Sequence, residues 1–159
     1  MKIVEISTGE NYPIEVLPLE KSDYKSLTKT RYFFNWKEEK DQYIYKLVIK
    51  GDNDILGLIS FEIIPEEWRI HIRLLTVSEE NKGKGKKFDR IAGNLICFVS
   101  KIAVSEFAEM ACISLKPKTE IYKHYMDKYK MNITGATLSL EVPEILNLIK
   151  EYESDSQRK

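Results

Sequence analysis

The loop at residues 81–90 carries the residue types in this chain that are best suited to hold a small anion. Its basic residues are Lys82, Lys84, Lys86, Lys87 and Arg90, against the single acid Asp89. Gly83 and Gly85 have no Cβ, so the backbone can turn tightly there and come close to a ligand. Apolar spacing predicts a helix at residues 88–107, whose free N–H groups and positive dipole end would face the same place. This pattern favours a compact anion such as a pyrophosphate.

A simpler interpretation of this basic loop is that it is solvated surface, as lysine-rich turns often are. The phosphate-binding patterns GxxxxGK[ST] and GxGxxG are both missing from the sequence. The position of the loop favours a binding role, because it lies between a clearly alternating strand and the most regular helical pattern in the chain.

Apolar patterns along the chain place the basic loop in an α/β domain. Alternation predicts strands at residues 2–6, 14–19, 43–50, 55–63, 68–77, 110–115 and 136–142. Helical spacing predicts helices at residues 22–34, 88–107, 119–130 and from Pro143 past Tyr152. Two faces are expected on the strand at 68–77: Ile70, Ile72 and Leu74 on one, and Arg69, His71, Arg73 and Leu75 on the other. This order of elements predicts one mixed α/β sheet with helices packed on it.

Composition and charge limit the class of protein. With 159 residues, 43% of them hydrophobic, the chain fits one domain at residues 1–153 and a polar, disordered tail at 154–159. Its 25 basic and 25 acidic residues cancel, which argues against nucleic acids and membrane surfaces as partners. Cys97 and Cys112 form no CxxC pair, and no signal peptide or membrane-length apolar run is visible, so a cytoplasmic protein is expected. His71 and His124 lack zinc-site spacing, and no metal is expected.

Two segments carry a resemblance to a known family. The segment LLTVSEENKGKGKKF resembles motif A of the GCN5-related N-acetyltransferases, which bind acetyl-CoA. In that match Lys82 takes the Arg/Gln position, Gly85 the first required Gly, and Lys87 the place of a final Gly or Ala. The segment TEIYKHYMDKYKMNI is similar to the late helix of the family, with Lys130 in place of the Gly in its aromatic-Gly-apolar ending. The resemblance implies the acyl-CoA N-acyltransferase fold, here with an added C-terminal helix.

The resemblance also implies how acetyl-CoA, as co-substrate, would be bound. Backbone groups of Leu75, Thr76 and Val77 would bond the pantetheine arm and the acetyl carbonyl. The pyrophosphate would lie against the basic loop, with Lys82 beside it and with the backbone amides of Gly83, Lys84, Gly85, Lys86, Lys87 and Phe88.

For catalysis, the resemblance places Tyr125 as the general acid that meets the departing thiolate. A phenol, with an ordinary pKa of about 10, carries its proton at neutral pH. The base stays open between His71, Glu62 and a chain of waters. An imidazole, with an ordinary pKa of about 6.5, suits proton abstraction, but Arg69 and Arg73 share its face and disfavour its charged form.

The acceptor is an amine-bearing small molecule or peptide whose identity the sequence leaves open. By the resemblance, Arg31, Tyr32 and Trp36 lie in the region that covers the acceptor, and the apolar last helix could pack against a second copy in a homodimer. Two alternatives remain. One is a protein of the same fold that binds CoA without catalysis, and the other is a single-strand nucleic-acid module that uses the basic loop and RYFFNW.

Overall fold

The strands of the protein form one mixed sheet, as the sequence predicts. The computed structural model describes residues 1–116, 122–134 and 137–157. Within them the strands are β1 Lys2–Glu5, β2 Asn11–Pro18, β3 Tyr43–Ile49, β4 Gly57–Ile64, β5 Arg69–Val77, β6 Phe88–Asp89, β7 Cys112–Leu115, β8 Asn132–Thr134 and β9 Thr137–Glu141. The described strands lie in the order β6-β1-β2-β3-β4-β5-β7-β9-β8. Neighbours are antiparallel except β5 and β7, which are parallel.

The helices are α1 Lys29–Tyr32, α2 Ile91–Phe107, α3 Tyr122–Tyr129 and α4 Glu144–Gln157. The single helix expected at residues 22–34 is wrong. A 3-10 turn at Lys21–Ser26, the four-residue α1 and a second 3-10 turn at Trp36–Glu39 replace it. Thr28 caps α1, and Phe33 ends it in a left-handed conformation at φ 72°, which a helix cannot continue.

Helix α4 confirms the C-terminal helix of the predicted fold but corrects its end. The sequence predicts a disordered tail at residues 154–159, whereas α4 continues to Gln157. Residues 158–159 lie outside the described residues. By length and composition Ile91–Met110 could span a membrane, contrary to the expectation from the sequence. Nine residues of α2 are nevertheless buried in the protein, which is typical of a core helix.

A β-bulge in β5 changes which residues face each side of the sheet. Ser60 of β4 pairs with Leu74 and Phe61 pairs with Ile72, so Arg73 has no partner on β4. The extra residue reverses the alternation, because two successive side chains now share a face. Leu74 packs with Tyr32 and Trp36 under the helical turns. Leu75 packs instead with the main core against α2. The predicted faces of Leu74 and Leu75 were therefore wrong, while those of residues 69–73 hold.

Helix α4 covers the beginning of α2. A Cβ on Gly93 would overlap the ring of Tyr152, so only glycine lets the two helices come this close. The guanidinium of Arg90, which precedes α2, lies 4.3 Å from the centre of the same ring. Tyr152 is 3% exposed, and burial raises the pKa of its hydroxyl to about 12.

Candidate functional site

A gap opens beside β5 where the parallel strand β7 stops. The two strands pair from Arg69 with Cys112 to Ile72 with Leu115. Past this point β5 continues to Val77, and in the described part of the chain no strand pairs with its residues 73–77 on that side. Backbone groups there can bond an extended ligand, as an additional strand would. Leu75, Thr76 and Val77, predicted to contact a pantetheine arm, all lie along this gap.

The basic loop follows directly at the end of β5. A 3-10 turn at Glu79–Asn81 opens it, and Gly83 and Gly85 have φ of 70° and 80°, in the left-handed region that glycine favours. The amides of residues 83–86 make no hydrogen bond to any part of the protein that the structure describes. Four consecutive residues, of which 83–85 are exposed, thus present free N–H donors. This backbone arrangement suits phosphate oxygens.

Three other backbone amides of the loop already donate hydrogen bonds within the protein, which corrects part of the predicted phosphate site. The N–H of Lys82 donates to the oxygen of Glu79, and that of Lys87 to the oxygen of Glu80. The N–H of Phe88 donates to Oδ1 of Asn81 at 2.8 Å. The predicted phosphate contacts of the Lys87 and Phe88 amides are therefore unavailable in this arrangement.

The sequence predicts that the loop leads directly into the helix, and this prediction is wrong. Phe88 and Asp89 form β6 beside β1, and Arg90 turns the chain at φ 80° before α2 begins. The residue that shapes the loop is Asn81, which is 4% exposed and donates from Nδ2 to Ser78 Oγ at 2.9 Å. Sequence reasoning missed it, since an Asn in a charged loop carries no signal of burial.

The four lysines of the basic loop differ in their contacts. Lys82 lies over the ring of Phe33 at 4.1 Å from its centre, and Lys87 lies over Phe88 at 5.3 Å. Lys86 pairs with Asp89 at 2.9 Å. Lys84 is exposed and contacts no other side chain in the residues the structure describes. Lys84 is therefore the lysine best placed to add charge to an anion at residues 83–86.

Arg31 ties α1 to the basic loop. Its guanidinium bonds both carboxylate oxygens of Asp54, at 2.8 and 3.1 Å, and also pairs with Glu80. The hydrogen bonds that it donates to these two carboxylates raise the pKa of Arg31. Since its donors are engaged, the predicted contact of Arg31 with an acceptor is replaced by a bridge between α1, the turn after β3 and the loop.

Tyr32 and Trp36 are core residues, which corrects their predicted role as acceptor contacts. Each is 1% exposed. The hydroxyl of Tyr32 donates to the oxygen of Ile55 at 2.7 Å, and burial raises its pKa to about 12. The indole N–H of Trp36 donates to the oxygen of Tyr32 at 3.1 Å. Their rings hold the helical turns on the sheet, and only an edge of Trp36 reaches a surface cleft.

An acid–base cluster centred on a buried carboxylate lies beside the bulge and was not predicted. We call it the Glu39 cluster, formed by Glu39, Ser60, Glu62 and Arg73. Glu39 is 6% exposed and accepts hydrogen bonds from Arg73 Nε at 2.9 Å and Ser60 Oγ at 2.8 Å. Arg73 also lies 3.8 Å from Glu62. Burial opposes ionisation of Glu39, but the hydrogen bonds from Arg73 and Ser60 outweigh it and lower its pKa. The bulge makes this contact possible by leaving Arg73 unpaired on β4.

His71 is half-buried in a row of polar residues that crosses the sheet. It pairs in register with Glu62 on β4 and with Ser114 on β7. Its Nδ1 lies 2.8 Å from Ser114 Oγ, which also accepts a hydrogen bond from Arg69 at 2.6 Å. Burial and then the charge of Arg69 lower the pKa of His71. The structure thus brings the two candidate bases, His71 and Glu62, side by side.

The Tyr125 side chain lies outside the described residues, so its role as general acid stays a prediction. Its helix α3 is present and ends at Tyr129. Lys130, which replaces a Gly of the family ending, has φ 60°. The backbone there takes the left-handed conformation that glycine favours, and the Lys130 ammonium donates to the oxygen of Asp127 at 2.9 Å. This departure from the motif therefore leaves the expected kind of backbone conformation in place.

Comparisons with known proteins agree on the fold. No protein-family model and no curated protein sequence matches the chain. Its structure is similar to spermidine N-acetyltransferase from Vibrio cholerae in complex with CoA and spermine, at TM-score 0.63 and 14% identity over 84% of this chain and 98% of that one. It is also similar to a putative streptothricin acetyltransferase from Bacillus anthracis in complex with acetyl coenzyme A, at TM-score 0.59 and 14% identity over 80% of this chain and 98% of that one. For nourseothricin acetyltransferase the TM-score is 0.55 and the identity 11%, over 82% of this chain and 99% of that one.

Proposed function

We propose that this chain, which has the fold of the GCN5-related N-acetyltransferases, transfers an acetyl group from acetyl-CoA to a primary amine. One observation carries the proposal. The strand β5 loses its parallel neighbour β7 beyond Ile72, and the loop that follows has free amides at residues 83–86. An extended thioester arm fits the first feature and a pyrophosphate fits the second.

The proposed reaction is a direct transfer. The amine nitrogen attacks the acetyl carbon of the thioester, so that a C–N bond forms and the C–S bond breaks. The departing thiolate takes a proton from an acid, for which Tyr125 is the candidate. The proton lost by the amine goes to a carboxylate, an imidazole or a water, for which Glu62 and His71 are the candidates. Alignment of the two reactants in one cleft supplies a large part of the rate.

The neighbours in structure support this class of reaction and its co-substrate. Two of them are complexes with CoA or acetyl-CoA, and their names give an amine acceptor or an antibiotic as substrate. Spermidine N-acetyltransferase from Vibrio cholerae is also known as a dodecamer. We therefore keep a homodimer or larger assembly of this chain as part of the proposal. The free thiols Cys97 and Cys112 are consistent with the cytoplasm, where we place it.

The charged residues that line a cleft at the helical turns indicate which kind of acceptor could enter it. A cleft of about 410 Å³ is lined by Tyr24, Lys25, Leu27, Asn35, Trp36 and Lys37. Its charged residues are lysines, and no carboxylate is among the lining residues that the structure describes. A polycation such as spermine would be repelled there. If the acceptor enters this cleft, we propose an amine that also carries an acidic group.

The test is titration calorimetry with acetyl-CoA and CoA, followed by a thiol-release assay over amines with and without carboxylates. Binding of both ligands and thiol release with at least one amine are expected. If neither ligand binds at high micromolar concentration, the proposed function is wrong.

A second candidate is a CoA-binding protein without catalysis. The observation that favours it is Lys87, which stands where motif A has a small residue and whose amide is bonded to Glu80. Such a protein would bind CoA with normal saturation, yet release no thiol with any amine in the panel.

A further inference from the structure

The two ring nitrogens of His71 have different surroundings, and the difference decides which one carries the proton. Nδ1 lies 2.8 Å from Ser114 Oγ and 3.4 Å from Nη1 of Arg69. A guanidinium can only donate hydrogen bonds. Nε2 makes no hydrogen bond to the residues that the structure describes. Nδ1 therefore faces donors, while Nε2 is left for another partner.

The hydroxyl of Ser114 determines which ring nitrogen of His71 accepts a hydrogen bond. Ser114 is 2% exposed, and its oxygen accepts a hydrogen bond from Arg69 at 2.6 Å. Its own proton needs an acceptor, because a buried hydroxyl without a partner destabilises the fold. Among the described residues, the acceptor within range is Nδ1 of His71. The hydroxyl therefore donates to Nδ1, and the ring proton of neutral His71 lies on Nε2.

The charges around the ring keep it neutral. Arg69 and Arg73 flank it on β5, Glu62 lies beside it on β4, and Glu67 stands in the turn before β5. Burial and the two arginines act against the imidazolium, and together they outweigh the two carboxylates. At neutral pH the ring is therefore an imidazole with a free Nε2–H, and its basic nitrogen is already occupied by Ser114.

We propose that His71 is a hydrogen-bond donor to the thioester carbonyl oxygen through Nε2–H, and not the base of the reaction. This inference rests on the proposed function. His71 pairs with Ser114 one residue before β5 and β7 separate, so its ring stands at the closed end of the gap. Negative charge develops on the carbonyl oxygen as the amine attacks, and a fixed donor stabilises that charge. The proton of the amine then goes to Glu62 or water.

The tautomer can be read directly by ¹⁵N NMR. The chain has two histidines, so the variant His124→Gln leaves His71 as the single ring to observe. We expect Nδ1 to show the shift of an unprotonated nitrogen and Nε2 that of an N–H. Ser114→Ala should weaken this preference, whereas Ser139→Ala, a matched change on the neighbouring strand, should not. A protonated Nδ1 in the parent protein would overturn the proposal.

Adding ligand to the same sample tests the role of the donor. Acetyl-CoA should move the Nε2 resonance, whereas CoA, which has no carbonyl at that position, should not. Equal effects of the two ligands would show that the donor does not meet the thioester. If neither ligand binds, the donor role falls together with the proposed function, but the tautomer measured on the free protein still stands.

Rates of two variants separate a donor from a base. The amide N–H of Gln reaches the place of Nε2, while that of Asn lies nearer Nδ1. His71→Asn should lower kcat by roughly 100-fold, as the loss of an oxyanion donor does, and His71→Gln should retain several-fold more activity. The acidic limb of the pH profile should persist in His71→Gln. Equal loss in both variants, with the acidic limb gone, would identify His71 as the base.

Discussion

The basic loop follows the end of β5 and the Glu39 cluster lies at the bulge within that strand, and the two regions differ in whether the protein already bonds their polar groups. In the loop, Lys84 is exposed, and no described residue bonds its side chain or the amides of residues 83–86. In the cluster, Glu39 is 6% exposed and both of its described partners are within hydrogen-bond distance. A donor without a partner is available to a ligand, whereas a buried carboxylate whose hydrogen bonds are all made within the protein holds the fold in one arrangement. Changes in the loop should therefore affect binding, and changes in the cluster should affect stability first.

The largest expected effect is on CoA binding by Gly85→Asp. This change places a carboxylate where the phosphate is proposed to lie, in a backbone with φ 80° and with open space around a Cβ. We expect the affinity for CoA to fall by roughly 100-fold or more, equivalent to about 2.8 kcal/mol. Titration calorimetry measures it.

Gly85→Asn is the matched control for that change, because Asn also tolerates the left-handed conformation and is neutral. It should lose much less affinity than Gly85→Asp, and both variants should unfold close to the parent. Equal affinities of the two variants would place the anion elsewhere.

The second prediction concerns the cluster. Glu39→Gln leaves Arg73 without its buried carboxylate, so we expect a loss of about 2–3 kcal/mol in the free energy of unfolding. Glu62→Gln removes a partner 3.8 Å away whose side chain is 37% exposed, and should cost less than about 1 kcal/mol. Urea unfolding of both variants gives the comparison. If the two losses are equal, Glu39 is not the centre of the cluster.

The cluster also predicts how stability depends on pH. Hydrogen bonds lower the pKa of Glu39 in the folded protein, despite its burial. A group with a lowered folded pKa stabilises the fold above its unfolded pKa, about 4.3 for Glu, and that stabilisation is lost as the pH falls through the folded value. Glu39→Gln should therefore lose less stability than the parent below about pH 4.3. Parallel curves for the two proteins in acid urea titrations would contradict this.

The smallest expected effect concerns Arg31, which pairs with Glu80 in the turn that opens the basic loop. Arg31→Ala removes the bridge from α1 to Asp54 and Glu80, and should cost about 1 kcal/mol of stability because the guanidinium is partly exposed. It should also weaken CoA binding by roughly threefold, since Glu80 begins the loop. Arg31→Lys keeps the charge but cannot bond two carboxylates at once, so it should resemble Arg31→Ala. If both variants keep the full affinity for CoA, the bridge made by Arg31 does not support the CoA-binding loop.

How much the sequence predicted depends on the range of the interactions involved. The strands and the long helix α2 follow local patterns, and the structure confirms them, with α2 beginning at Ile91. The short β6 depends on pairing with β1, which is distant in sequence, whereas the bulge at Arg73 and the short β8 depend on how a strand registers with its neighbour in the chain. Alternation within one segment reveals neither.

The residues of the candidate site show the same limit. Lys84 and Gly85 stood out because their types and spacing are unusual. Glu39 lies in the charged run KEEKD, which is typical of a solvated surface, and only the fold turns it toward Arg73. Tyr32 and Trp36 were misassigned for the opposite reason, since aromatic residues near a ligand and in a core look alike in one sequence.

The contact between Gly93 and Tyr152 has a consequence for synthesis. Helix α2, which follows the basic loop, is translated well before α4, which covers its first turn. On the ribosome the loop and α2 therefore emerge while their cover is still missing, and this packing is completed only after α4 has been made. A stop codon ahead of α4, or a bulky insertion that displaces Tyr152, should thus disturb the proposed phosphate site from a segment about 60 residues away in the sequence.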